Sequence, residues 1–183
     1  MPIKKHNPYK IVKMFEEEIA AYTGAKYAIT VDSCTNALFL VCKYLKVKEV
    51  TIPSETYLSV PMSIMHAGGE VIFDKTPNTN HWKGVYQLKP YPIYDAAKRF
   101  TSDMYIEDSL MCLSFHIKKL LNIGKGGAIL TNSKEAYDWF KKARYEGRGE
   151  VFYKEDNIET LGWNMYMTPQ QAAHGLCLMQ NHP

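Results

Sequence analysis

The sequence predicts a single α/β domain, on three observations. Short β-rich runs alternate with longer segments of helical apolar spacing. The 183 residues are 46% apolar, 13% aromatic and 22% charged, a folded rather than a disordered composition. No repeat, low-complexity tract or linker interrupts them, so residues 1–183 read as one unit. A chain near this length buries roughly two-thirds of the surface its unfolded form exposes, so its core needs no disulfide or metal staple.

Each element has its own signal. After Pro8, the residues Ile11, Phe15, Ile19 and Tyr22 recur at helical spacing, and Gly24 stands where a helix would close. Ala25 to Val31 reads as a strand, Asp32-Ser33-Cys34-Thr35 as cap-type residues, and Asn36 to Leu45 as a buried helix. A strand at Glu49 to Pro53, a helix around Thr56 to Ala67 and a strand at Glu70 to Asp74 continue the alternation. Lys75 to Lys89 is polar and turn-rich, and reads as a loop or a shortened crossover. Strands follow at Tyr91 to Tyr94, Ser109 to Phe115 and Gly127 to Thr131. Asn132 or Ser133 then caps a helix running towards Tyr145, and Pro169 opens the last helix.

The composition also excludes function classes. A net charge of +3 is not the basic balance of a dedicated nucleic-acid binder. Thr160 to Pro183 carries no Asp, Glu, Lys or Arg, but Asn164, Thr168, Gln170, Gln171 and Asn181 break it up too often for a membrane span. Its aromatic and Met content instead suggests a buried patch between subunits. Cys34, Cys42, Cys112 and Cys177 form no C-x-x-C pair and no signal sequence precedes them, which points to reduced thiols in the cytoplasm. The histidines His6, His66, His81, His116, His174 and His182 form no H-x-x-x-H or H-E-x-x-H pair, so no metal is expected.

Four places could carry chemistry. The turn after Val31 sets Ser33 and Thr35 with free N–H groups at a helix start, where either an anion or ordinary capping fits. Lys118 and Lys119 sit in a turn between Ser114 and the glycines Gly124, Gly126 and Gly127, as a solvated basic turn or as a functional lysine. Asp95 ends an apolar strand, where ligands collect in open α/β sheets and where a helix cap would also sit. Tyr57 is a core aromatic or a stacking plate. Lys141, Lys142, Arg144 and Arg148 read as a solvated basic face on one helix.

Taken in order, these pieces resemble the DegT-type pyridoxal-phosphate sugar aminotransferases. Phe15 to Leu40 (FEEEIAAYTGAKYAITVDSCTNALFL) is similar to the family's opening helix, first strand and S-G-T-x-A-L phosphate turn. IPSETYLS from Ile52 resembles its aromatic plate motif, IYDAAKRF from Ile93 its E-D-A-A-Q motif, and LSFHIKKLLNIGKGGAILT from Leu113 its S-F-H-x-x-K and G-E-G-G. RYEGR from Arg144 and GWNMYMTPQQAAHGL from Gly162 resemble R-N-H-G-R and G-x-N-x-R-M-T-x-x-Q-A-A-x-G-L. The resemblance covers nearly the whole chain.

It implies an aspartate-aminotransferase-like (fold type I) large domain, a mainly parallel sheet flanked by helices. The implied cofactor is pyridoxal 5'-phosphate, bound covalently by Lys119, with Asp95 paired to its pyridine nitrogen. Tyr57 would stack on the ring. Ser33, Ser114 and the backbone around Cys34, Thr35 and Asn36 would hold the phosphate, and Asn164 would reach the phosphate of the neighbouring subunit. A homodimer with shared active sites follows. Against the family pattern, Cys34 replaces a glycine, Lys98 the glutamine that contacts the cofactor's phenolic oxygen, and Lys125 a glutamate. The family's N-terminal arm and C-terminal small domain have no counterpart in these residues, and the loop Lys75 to Lys89 stands where the family's crossover helix would be expected.

The activity so implied is transfer of an amino group from glutamate or glutamine to a nucleotide-linked keto sugar, in nucleotide-sugar and polysaccharide biosynthesis. An alternative is a cofactor-binding or structural remnant without transaminase activity, completed by another chain. A third reading, a phosphate- or nucleic-acid-binding module, rests only on the basic helix. Neither a nucleic acid nor a membrane is an expected partner.

Overall fold

The structure is a computed structural model and describes residues 7–76 and 84–183. The two histidines His6 and His81, and the middle of the expected loop from Lys75 to Lys89, lie outside the described residues.

Helix α1 (Lys10–Thr23) is closed by Gly24 at φ 78°, a left-handed turn that glycine adopts without penalty. Strand β1 (Tyr27–Val31) leads into α2 (Cys34–Tyr44), whose N-cap Ser33 accepts a hydrogen bond from the Asn36 N–H. Then come β2 (Glu49–Pro53), α3 (Ser59–His66), β3 (Glu70–Asp74), β4 (Tyr86–Leu88), β5 (Ile93–Asp95), β6 (Leu110–Ser114) and β7 (Gly127–Thr131). Ser133 caps α4 (Lys134–Ala143). Helix α5 (Pro169–Met179) starts with a full capping box between Thr168 and Gln171 and with proline in its first turn.

Five strands form a sheet in the order β1-β7-β6-β5-β4, and β2 pairs with β3. The α/β class holds, but the expected mainly parallel pairing does not. Among the described strands only β5–β6 and β2–β3 are parallel, while β7 is antiparallel to both β1 and β6, and β4 is antiparallel to β5. The reason lies in the connections. A parallel return needs a crossover that lifts the chain over the sheet, usually a helix. No helix lies between β6 and β7, or in the four residues between β4 and β5. Thr51 exchanges backbone hydrogen bonds of 2.8 and 3.0 Å with Lys89, which joins β2 to the segment after β4.

Both faces of the large sheet are covered. Ile29, Val31, Cys112 and Ile129 pack with α2, α3 and α4, while Ala28, Met111, Leu113, Ala128 and Leu130 pack with α1 and α5. Alternate residues serve opposite cores, which explains why these strands read as unbroken apolar runs. Gly175 of α5 lies against Phe15 of α1 so closely that a β-carbon would stand 2.3 Å from the ring.

That packing accounts for much of the uncharged C-terminal stretch. Met167, Ala172 and Met179 are buried in this domain's own core, and only Leu161 of that stretch is a largely exposed apolar side chain, at 76%. The expected basic face is also different. Arg144 lies past the end of α4 and is buried, its guanidinium held by Glu16, the Thr30 carbonyl and Glu150, with Lys141 joining both acids. Two of the four basic residues therefore belong to an internal ion network.

Candidate active site

Because β7 is antiparallel to its two neighbours, β1, β5 and β6 all run the same way, and their carboxyl ends meet at one edge of the sheet. At that edge stand the Ser33–Asn36 turn after β1, Asp95 at the end of β5 and Ser114 at the end of β6. Gly127, which opens β7, faces both Val31 and Ser114 across the pairing. Open α/β sheets bind ligands at this position.

A cavity of about 290 Å³ opens there, lined by Ser33, Cys34, Thr35, Tyr57, Asp95, Ser114 and Lys119, with Lys118, Lys125 and His116 at its basic side. A second space of about 300 Å³ shares Tyr57, Asp95, Ala97 and Lys119 with the first and adds Glu55, Thr56, Tyr86 and Lys98. Eight of the ten residues singled out from sequence thus line one connected space. The other two do not. Asn36 turns its side chain onto Asp32, at 2.7 Å, and Asn164 is exposed and donates to Glu146 at 3.0 Å.

Asp95 is buried, and its two oxygens have different donors. The Ala97 N–H reaches Oδ1 at 2.9 Å, and the Tyr86 hydroxyl reaches Oδ2 at 2.8 Å. Here the helix-cap alternative fails, because no helix follows β5 before β6. Lys119 is half-buried while Lys118 is exposed, and only Lys119 borders both spaces. The Lys119 N–H donates to the His116 carbonyl at 2.8 Å, which closes the turn that carries it.

At the Ser33–Asn36 turn, burial and the negative charge of Asp95 push the Cys34 thiol well up, against the opposing Lys119 charge, so the thiol stays neutral beside the cavity. Thr35 Oγ1 donates to Ser59 at 3.0 Å, which ties the turn to α3. Asp32 accepts from the Ser33 hydroxyl at 3.2 Å and pairs with Lys125 at 3.5 Å, so the lysine found in place of a glutamate offsets a carboxylate next to the cavity. Tyr57 borders both spaces and is 72% exposed.

Sequence reasoning missed Tyr86 and Thr56, whose hydroxyls hydrogen-bond to each other behind Asp95. The available signal was the short alternation Val85-Tyr86-Gln87-Leu88, hidden within a polar segment. Among the described residues no group of three His, Cys, Asp or Glu is placed to hold a metal ion, and no helix is long and apolar enough to cross a membrane.

Known proteins share this fold. The chain is similar to the spore coat polysaccharide biosynthesis protein SpsC of Bacillus subtilis, at 26% identity over 90% of this chain and 55% of that protein. It is similar to GDP-perosamine synthase of Escherichia coli O157:H7 at 25% identity, over 92% of this chain and 57% of the relative. Among solved structures, Helicobacter pylori PseC, an aminotransferase of pseudoaminic acid biosynthesis, superposes with a TM-score of 0.78 at 17% identity, covering 95% of this chain and 58% of that one. The chain therefore spans a little over half the length of the relatives it matches. The sequence profile of the DegT/DnrJ/EryC1/StrS aminotransferase family matches residues 4–83 and 106–182, most of the chain, including the Ser33–Asn36 turn, Tyr57, Ser114 and Lys119 but not β4 and β5 with Tyr86 and Asp95. Because that profile matches well over half of its residues, this chain belongs to the DegT/DnrJ/EryC1/StrS aminotransferase family.

Proposed function

We propose that the chain is a single pyridoxal-phosphate-binding domain of a nucleotide-sugar aminotransferase, and one observation carries this reading: a buried carboxylate, a half-buried lysine and an N-capped helix start line one cavity. The cavity suits that cofactor in detail. At Gly127 a β-carbon would stand 2.5 Å from the Cys34 nitrogen, so glycine there leaves the turn open to a phosphate. The helix dipole of α2, with Lys118 and Lys125 nearby, favours a dianion at the turn. Asp95, in the same cavity, suits a cationic ring nitrogen.

Once bound, pyridoxal phosphate supplies a carbonyl for amines and a ring that withdraws electrons from the substrate carbon. The roles that fall to this chain are specific. Lys119 carries the amine that holds the group and then moves a proton at the substrate carbon. Asp95 would keep the ring nitrogen protonated, Tyr57 would cover the ring, and Ser33, Thr35 and Ser114 would bind phosphate oxygens with the backbone N–H groups of Cys34 and Thr35, the Asn36 N–H being taken by the Ser33 hydroxyl at 3.2 Å. Lys98, which borders the adjoining space, would contact the phenolic oxygen in place of the family's glutamine.

We further propose a nucleotide-linked keto sugar as acceptor, in keeping with the similarity to GDP-perosamine synthase, and, from the family resemblance alone, glutamate or glutamine as amino donor. The working form would be a cytoplasmic homodimer, in which the partner copy supplies the Asn164 contact to the phosphate. The test has two stages. Protein incubated with pyridoxal phosphate should turn yellow and keep its label after borohydride, and glutamate or glutamine should then bleach the unreduced colour. Absence of colour overturns cofactor binding, whereas colour that no amino donor bleaches leaves binding without transamination.

A further inference from the structure

We propose that Thr56, Tyr86 and Asp95 form a hydrogen-bond chain of fixed proton direction that aims the Asp95 carboxylate into the cavity, which makes Tyr86 a positioning residue of the site. The link to the ring nitrogen rests on the cofactor reading above, while the geometry of the chain does not.

In the β4–β5 pairing, Tyr86 stands directly opposite Asp95, so both side chains leave the sheet on the same face. The Tyr86 hydroxyl lies 2.8 Å from Asp95 Oδ2 and also contacts Thr56 Oγ1. A phenol has one proton to donate, and an ionised carboxylate can only accept. The Tyr86 proton is therefore directed at Asp95, and the Thr56 hydroxyl must donate to the phenol oxygen. Burial, with the Asp95 charge, pushes loss of the phenol proton far up, so Tyr86 remains a neutral donor across the working pH range.

Among the described residues, two donors hold the two carboxylate oxygens. The Ala97 N–H holds Oδ1 at 2.9 Å from the strand end, and Tyr86 holds Oδ2 from the neighbouring strand. Hydrogen bonds of this kind favour the charged form of a buried acid, and successive donors polarise one another. Thr56 also precedes Tyr57 in the chain, so the same chain of hydroxyls ties the rim of the cavity to its floor. Removing the phenol hydroxyl should leave the ring packing intact while freeing the carboxylate to turn.

The test uses Tyr86→Phe, Thr56→Val and the double variant in the full chain. In cofactor-free protein, carbon NMR of labelled aspartate should show Asp95 protonating at a higher pH in Tyr86→Phe than in wild type. Pyridoxal phosphate retention should weaken about tenfold, the value of one hydrogen bond to a charged group. Thr56→Val should move both readouts the same way by less, and should add nothing in the Tyr86→Phe background. Should Tyr86→Phe fail to fold, Thr56→Val alone carries the test. An Asp95 titration unchanged in both single variants overturns the proposal. If wild type takes up no pyridoxal phosphate, the cofactor reading fails while the cofactor-free titration still decides the hydrogen-bond chain.

Discussion

Gly127 and Cys34 touch backbone to backbone: a β-carbon on Gly127 would stand 2.5 Å from the Cys34 nitrogen and equally close to the Ser33 carbonyl carbon. The first residue of β7 is thus pressed against the turn that starts α2, and no side chain fits between them. This contact decides whether the helix start stays open towards the cavity.

Gly127→Ala should accordingly push the turn out of place. Overpacking of this kind costs about 1–3 kcal/mol. Urea titration should show the midpoint falling, and pyridoxal phosphate uptake should fall with it. A variant with wild-type stability and uptake would mean that the turn has room to yield.

Lys119, not Lys118, is expected to carry the covalent label. The two are adjacent, but Lys119 is half-buried and borders both parts of the cavity, while Lys118 is exposed and borders one. Borohydride reduction followed by peptide mapping should place the label on Lys119. Lys119→Ala should lose it and Lys118→Ala should retain most of it. A label on Lys118 refutes the assignment.

Much of this was legible in the sequence, for physical reasons that differ between residues. The strands Glu49–Pro53, Glu70–Asp74 and Gly127–Thr131 coincide with the expected ones, because each is a compact β-rich run bounded by breakers. Ser133 and Pro169 mark helix starts by local chemistry alone. The direction of β7 was not legible, since residues 127–131 look the same whichever way the strand runs, and only the loop before it decides. Tyr86 was hidden because a strand of three residues gives too little period to stand out from its polar flank. Arg144 read as a surface charge, since its partner Glu16 lies 128 residues away and no local pattern announces such a pair.

The Glu16–Arg144 network should make stability fall in acid. Burial would raise the Glu16 carboxyl, but the charges of Arg144 and Lys141 and the Thr30 N–H outweigh it and hold the group below the ordinary carboxylate value. The stabilisation is therefore complete above the ordinary Glu range and is lost as the pH drops through the lower folded-state value. Glu16→Gln should flatten this acid limb in urea titrations between neutral and acid pH. Arg144→Met, which leaves the buried Glu16 carboxylate with Thr30 as donor and Lys141 as its remaining cation among the described residues, should cost about 3–5 kcal/mol at neutral pH. Parallel acid limbs in wild type and Glu16→Gln would show that other carboxylates set the response.

The last prediction concerns assembly, where the structure changes the argument. The uncharged stretch from Thr160 to Pro183 was expected to be an interface because of its composition, yet α5 spends much of its apolar surface on α1, with Gly175 against Phe15. What stays outside is more local. Leu161 is 76% exposed, Val151 and Ile158 are exposed as well, and Asn164 lies close by in sequence, with its side chain on Glu146 and away from the cavity of its own chain. Asn164 lines neither space of its own chain, so the proposed phosphate contact requires a second copy, and the homodimer proposal rests on Asn164 and these exposed apolar side chains. Sedimentation at micromolar concentration should find a dimer, tightened by pyridoxal phosphate. Leu161→Asp should shift it towards monomer, and Asn164→Ala should weaken cofactor retention in a protein that still dimerises and still labels at Lys119. A monomer that binds the cofactor tightly, or an Asn164→Ala variant with unchanged retention, removes the shared site.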